Sequence, residues 1–107
     1  MNHSQTRTYQ HILFEVSESI ARVTMNQPER RNALSVEHMQ ELTECFSAIG
    51  RNPDVSVVIL SGNGPAFSAG HDLREMIGQP PEFYRNVFDV CTTMMDKIQN
   101  ISQPVIA

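Results

Sequence analysis

Residues Val55 to Leu73 read VSVVILSGNGPAFSAGHDL. The first six are rich in β-branched side chains and almost wholly apolar, which predicts a strand covered on both faces. Ser61 to Asp72 is dominated by glycine and small residues and reads as a loop or a set of tight turns. Leu73 to Ile77 can then start a short helix.

On the N-terminal side of this stretch, Ile12 to Val16 has strand character and Ser17-Glu18-Ser19 is a turn. Ile20 to Met25 alternates apolar and polar residues, as a half-buried strand does, so the pair predicts a β-hairpin. Asn26 to Asn32 is a polar loop holding Pro28 and the adjacent Arg30 and Arg31. Ser35 suits a helix N-cap; Met39, Leu42, Phe46 and Ile49 then recur at helical spacing, with Gly50 as the stop. On the C-terminal side, Pro80-Pro81 breaks the chain and Glu82 to Ile101 is the longest helical pattern. Its apolar stripe is Tyr84, Phe88, Cys91, Met95 and Ile98, widened by Val87, Met94 and Ile101. Gln103-Pro104 ends that helix, and Val105-Ile106-Ala107 opens a new apolar run. Hairpin, helix, buried strand, helix and strand make a mixed α/β order. A three-residue strand is an odd place for a domain to end. The expectation is therefore a flexible N-terminus over residues 1–10 and a partial domain over residues 11–107, truncated at its C-terminal end.

Composition narrows the function. The 107 residues carry a net charge of -4 and no run of basic residues, which argues against a nucleic-acid surface. No apolar stretch approaches membrane-spanning length. Met1 to Gln10 resembles neither a secretory signal nor an Arg-rich presequence, so a cytoplasmic location is expected, with the mitochondrial matrix as the alternative if a presequence has been removed. Cys45 and Cys91 sit alone in helical patterns and read as reduced, core-facing thiols. His3, His11 and His38 show no metal-ligand spacing. Glu37, Glu41 and Glu44 read as a solvated helix face. Phe83, Tyr84, Phe88, Met94 and Met95 could line an acyl pocket, but at helical spacing most belong to a core.

Four features in order carry a resemblance: Asn32-Ala33-Leu34 after a proline loop, the apolar strand Val57 to Leu60, Phe67-Ser68-Ala69-Gly70-His71-Asp72-Leu73, and Gln103-Pro104-Val105-Ile106-Ala107. Together they resemble the first half of the enoyl-CoA hydratase/isomerase (crotonase) superfamily, with Gln103 where lysine is frequent. The match covers nearly all the chain beyond residue 10. The resemblance implies an α/β class, the N-terminal part of a crotonase-like ββα spiral fold. It also implies an acyl-CoA thioester as substrate, with coenzyme A arriving as part of it and no separate cofactor or metal.

Such reactions pass through a thioester enolate, whose developing oxyanion needs preorganised donors. By resemblance the backbone N–H of His71 is the first oxyanion donor, and its imidazole is secondary. Gly70 lets the backbone turn sharply there, and a following helix N-terminus would add a favourable dipole. Arg30 and Arg31 resemble basic positions near the CoA phosphates. Ala33 resembles a backbone contact along the pantetheine and adenine region. Ala69, Gly70, Asp72 and Leu73 resemble the loop that wraps the adenine end and the thioester, although Asp72 equally suits a helix N-cap.

In the family's hydratases the second donor and the two glutamates that add water fall at positions beyond Ala107. The 107 residues alone are therefore expected to be inactive. The resemblance gives a substrate class, with hydration of a 2-enoyl-CoA in fatty acid metabolism as the default reaction and isomerisation or thioester hydrolysis as alternatives. A non-catalytic assembly module and an inactive truncated paralogue are the alternatives outside catalysis. A homotrimer or hexamer is expected of the full-length form.

Overall fold

The computed structural model describes residues 5–107; His3, and the first four residues of the segment expected to be flexible, lie outside them. Five strands form one sheet in the order β1 (Gln5–Thr8), β2 (Ile12–Ser17), β3 (Ile20–Met25), β4 (Val57–Gly62) and β5 (Val105–Ile106). The first three are antiparallel neighbours; β4 runs parallel to β3, and β5 parallel to β4. A parallel pair needs a crossover. Here the crossovers are α1 (Val36–Gly50) between β3 and β4, and α2 (Leu73–Met76) with α3 (Pro81–Asn100) between β4 and β5.

The register explains the core. Val16 pairs with Ala21 and Ala21 with Val58; Phe14 pairs with Val23 and Val23 with Leu60. All of these are buried, so one face of the sheet is a continuous apolar surface, and Met39, Leu42, Cys45, Phe46 and Ile49 of α1 and Val87 and Met94 of α3 join it in one cluster. The opposite face carries the cross-strand pair Glu15 and Arg22. Among the described residues the helices lie against one face, so Val57 and Ile59 of β4 are half-buried, where the apolar run predicts cover on both sides. The hairpin holds as read: Glu18 and Ser19 both take the left-handed conformation, φ 55° and 65°, that a two-residue turn between twisted strands requires.

Three other elements depart from the sequence reading. Gln5–Thr8, inside the segment expected to be a flexible N-terminus over residues 1–10, is a strand paired with β2. Edge pairing uses main-chain groups, so a polar stretch without alternation can add a strand that its pattern does not announce. In α3 the buried line is Val87 and Met94, with Phe83, Val90, Cys91, Ile98 and Ile101 packed beside it, while Phe88 is 72% exposed and Met95 46%. The buried line is thus the Val87 and Met94 edge of the expected stripe, with Cys91 and Ile98 kept, while its Phe88 and Met95 edge faces away from the core. Gly50 is the last helical residue and not a left-handed cap. A Cβ there would lie 2.8 Å from the Ile101 side chain, so the glycine admits the end of α3.

Gln103 explains how the two helix ends meet. It is buried, and its Nε2 donates to the carbonyls of Ile49 at 2.9 Å and Asn52 at 3.2 Å, closing the C-terminus of α1. Ser35 caps the other end of α1 as read, its hydroxyl accepting the His38 N–H. The Tyr84 hydroxyl donates to the Met76 carbonyl and accepts from the Gln79 N–H, fixing α2 to the start of α3.

Candidate active site

Two loops, each delivered by the end of a neighbouring parallel strand, meet beyond the sheet. One leaves β3, makes a 3-10 turn over Pro28–Arg30 and enters α1 through Ser35. The other leaves β4 and enters α2 through Asp72. Loops at the carboxyl ends of parallel strands are a common place for ligands in α/β folds.

Asn32 holds the loops together, a role the sequence reading did not give it. It is 0% exposed and adopts φ 55°, which asparagine tolerates better than most residues. Its Oδ1 accepts the Gln27 N–H at 2.7 Å, and its Nδ2 donates to the Asn63 carbonyl at 3.0 Å and the Ala66 carbonyl at 2.8 Å. Its own carbonyl accepts the Ser68 hydroxyl at 2.9 Å, and that hydroxyl in turn accepts the Gly70 N–H. The available signal was polarity: an asparagine beside an apolar helix start, in a loop with two arginines.

Main-chain bonds complete the junction. The Ala69 N–H donates to the Arg31 carbonyl, the Leu34 N–H to the Gly70 carbonyl at 2.7 Å, and the Asp72 N–H to the Leu34 carbonyl at 3.0 Å. The last two make a parallel bridge between Leu34 and His71. In such a bridge the flanking residues, Gly70 and Asp72, face Leu34, and the N–H of His71 faces the other way. That N–H has no hydrogen-bond partner among the described residues, and His71 is exposed. Gly70, at φ 91°, makes the turn; a side chain there would meet open space, so the backbone angle sets the demand for glycine.

Every expected site residue falls in this junction. Arg30 Nη1 lies 3.3 Å from Asp72 Oδ2, so that cation is shared with a carboxylate of this chain, whereas Arg31 is exposed and in no ion pair among the described residues. Asp72 is buried and is the N-cap of α2, accepting the Arg74 N–H at 3.1 Å. Ala33 is half-buried and Leu73 is 74% exposed. The helix following the loop has four residues, Leu73–Met76, so the dipole expected behind His71 is that of a single turn and is weak. Glu75 was missed as well: its carboxylate accepts the Val36 N–H at 2.9 Å, tying α2 to the start of α1.

A second cluster lies behind the junction. His38, expected to be scattered, stacks on His11 with ring centroids 5.5 Å apart. Glu41, expected on a solvated face, accepts the His11 N–H at 2.8 Å, the Gln10 N–H at 3.1 Å and a ring contact from His11 Nδ1 at 3.0 Å. Burial alone would raise the Glu41 carboxyl; the hydrogen bonds from His11 and Gln10 outweigh it and hold the group below its ordinary 4.5. His38 is depressed below 6.5, chiefly by burial. No group of three metal-ligating side chains occurs among the described residues. No helix among them is long and apolar enough to cross a membrane.

Comparison with known proteins agrees with this architecture. The enoyl-CoA hydratase/isomerase family model matches residues 15–107. The mitochondrial enoyl-CoA hydratase domain-containing protein 3 of Danio rerio is 40% identical over 96 residues, 89% of this chain and 33% of that protein. The crystal structure of an enoyl-CoA hydratase from Mycobacterium smegmatis superposes with a TM-score of 0.86 at 36% identity, over 91% of this chain and 38% of that one. Human enoyl-CoA hydratase domain-containing protein 3 gives a TM-score of 0.85 at 30% identity, over 90% and 38%. The chain thus spans about a third of the length of the curated relatives it matches. Its sheet and helices correspond to the N-terminal part of the crotonase-like fold, and the chain belongs to the enoyl-CoA hydratase/isomerase family.

Proposed function

We propose that this chain is the acyl-CoA-binding part of an enoyl-CoA hydratase-like enzyme, in which the N–H of His71 stabilises the enolate oxygen of a CoA thioester. The observation that carries the reading is the Leu34–His71 bridge. It fixes the main chain on both sides of His71, an exposed residue, and leaves its N–H without a partner among the described residues. A donor held in that way need not reorient as charge develops, which is the physical requirement of an oxyanion hole. On this reading Arg31, exposed and in no ion pair, is the better placed of the two arginines for a CoA phosphate. Arg30 acts first on Asp72. Ala33, Ala69, Gly70 and Leu73 contribute backbone and apolar surface along the bound thioester.

The carboxylates on the loop and α2, Asp72 and Glu75, are committed to Arg30, the Arg74 N–H and the Val36 N–H. On this reading they are not a water-adding pair, and the His71 N–H is the contribution assigned to this chain. Hydration of a 2-enoyl-CoA remains the default reaction and isomerisation the alternative within the family. The word mitochondrial in the zebrafish relative's name favours a mitochondrial location for this chain.

Calorimetric titration of the intact protein with crotonyl-CoA tests the reading. Saturable binding is expected, weakened about tenfold or more by Gly70→Val through the strained turn. No binding, or binding untouched by that variant, would overturn it.

A further inference from the structure

The Ala33 carbonyl and the Leu34 N–H belong to one peptide group, and the Gly70 carbonyl and the His71 N–H to another. No peptide bond among the described residues is cis, so within each group the carbonyl and the N–H point in opposite directions. The Leu34 N–H donates to the Gly70 carbonyl at 2.7 Å, and the Ala33 carbonyl lies 3.3 Å from His38 Nδ1. The His38 ring and the two peptide groups therefore run head to tail, and the N–H at the far end is that of His71.

The direction of the chain is set at its head. His38 is 0% exposed, and its Nε2 has no hydrogen-bond partner among the described residues. A carbonyl only accepts, so the neutral ring makes a bond here only with its proton on Nδ1. The other tautomer would set a ring lone pair against the carbonyl oxygen and bury an N–H without an acceptor. A charged ring also carries a proton on Nδ1, so the direction is the same in both charge states.

A peptide whose carbonyl accepts a hydrogen bond is a stronger donor through its N–H, and successive bonds in such a chain strengthen one another by about 10–30% each. We propose that His38 is a positioning residue acting through this chain: by donating to Ala33 it orients and polarises the Ala33–Leu34 peptide, which does the same to the Gly70–His71 peptide. The inference rests on the oxyanion reading of His71 and adds what polarises that N–H. The four-residue α2 supplies little of this through its dipole.

The test reads the infrared stretch of the thioester carbonyl in crotonyl-CoA, ¹³C-labelled at that carbon and bound to the intact protein, beside kcat and KM. Wild type, His38→Leu and His38→Asn are compared. Leucine removes the donor at similar volume, and asparagine returns one near the place of Nδ1. In His38→Leu the band should move to higher frequency and kcat should fall by about twofold to eightfold, which is on the order of 10–30% of the free-energy worth of one oxyanion donor. KM should hardly change, because the loss is felt as charge develops. His38→Asn should restore both the band and kcat. The ¹⁵N resonances of the His38 ring in the wild type check the head of the chain without any substitution: at alkaline pH they should show a protonated Nδ1 and a bare Nε2. A neutral ring protonated at Nε2 would overturn the proposal. So would a His38→Leu protein with the wild-type band and kcat, or one whose KM rises while the band stays in place, the mark of a purely structural role. An intact protein that binds no crotonyl-CoA would sink the proposed function itself, whereas normal binding with an unmoved band in His38→Leu sinks the chain alone.

Discussion

At Asn32 one buried carboxamide satisfies two carbonyls and one N–H drawn from two loops. Replacing it with alanine removes all three partners in a site that water does not reach. Asn32→Ala is expected to destabilise the protein by about 2–4 kcal/mol, the range for orphaned buried polar groups, and to weaken CoA-thioester binding with it. Chemical denaturation together with calorimetry checks both effects; a stable variant that binds normally would remove Asn32 from the account. At His38 and Glu41 the sign of the pH dependence follows from proton uptake. Both groups hold their protons less tightly in the folded state than at their ordinary values of 6.5 and 4.5. The unfolded chain therefore binds protons first on acidification, and folding stability falls as pH drops below 6.5, then further below 4.5 as Glu41 joins. Denaturation midpoints across this range measure it, and His38→Asn should remove the upper part of the fall.

At the scale of elements, the helices show where sequence pattern is a sufficient guide. In α1 the spacing of Met39, Leu42, Phe46 and Ile49 names the buried face because polar residues flank it closely. In α3 the apolar residues cover nearly half of the helix circumference, a stripe broader than the contact needs, and packing against α1 and the sheet selects Val87 and Met94 within it. Met94→Ala should cost about 2–5 kcal/mol, whereas Phe88→Ala, at an exposed position, should stay within about 0.5 kcal/mol of wild type. Equal effects would show that the stripe is misassigned. The site was legible in the same uneven way. The glycine turn and its neighbours could be found from Phe67 to Leu73, because φ 91° at Gly70 demands glycine. The side chains that hold the turn, Asn32, Ser68 and Glu75, make contacts 31 to 39 residues away in the chain, and local pattern carries no trace of such partners. The same applies to His38, which by type alone is a polar residue on an apolar helix face.

For the molecule as a whole, Leu13, Phe67, Leu73, Ile77, Phe88, Met95 and Ile106 are large apolar side chains left exposed. That much uncovered apolar surface accords with a chain spanning about a third of its relatives. The 107 residues made alone should self-associate in sedimentation and hydrate no crotonyl-CoA, because only the first oxyanion donor is assigned to them. A monodisperse, active monomer would contradict this.

The central claim concerns one N–H, and replacing the amide of residue 71 with an ester in the otherwise intact protein tests it most directly. That substitution removes the His71 donor, which takes no part in the Leu34 bridge, and leaves every side chain in place. Crotonyl-CoA hydration should fall by about a hundredfold to a thousandfold, the typical loss of one oxyanion donor, with binding largely kept. An ester variant that turns over at the wild-type rate would show that the His71 N–H does not carry the oxyanion.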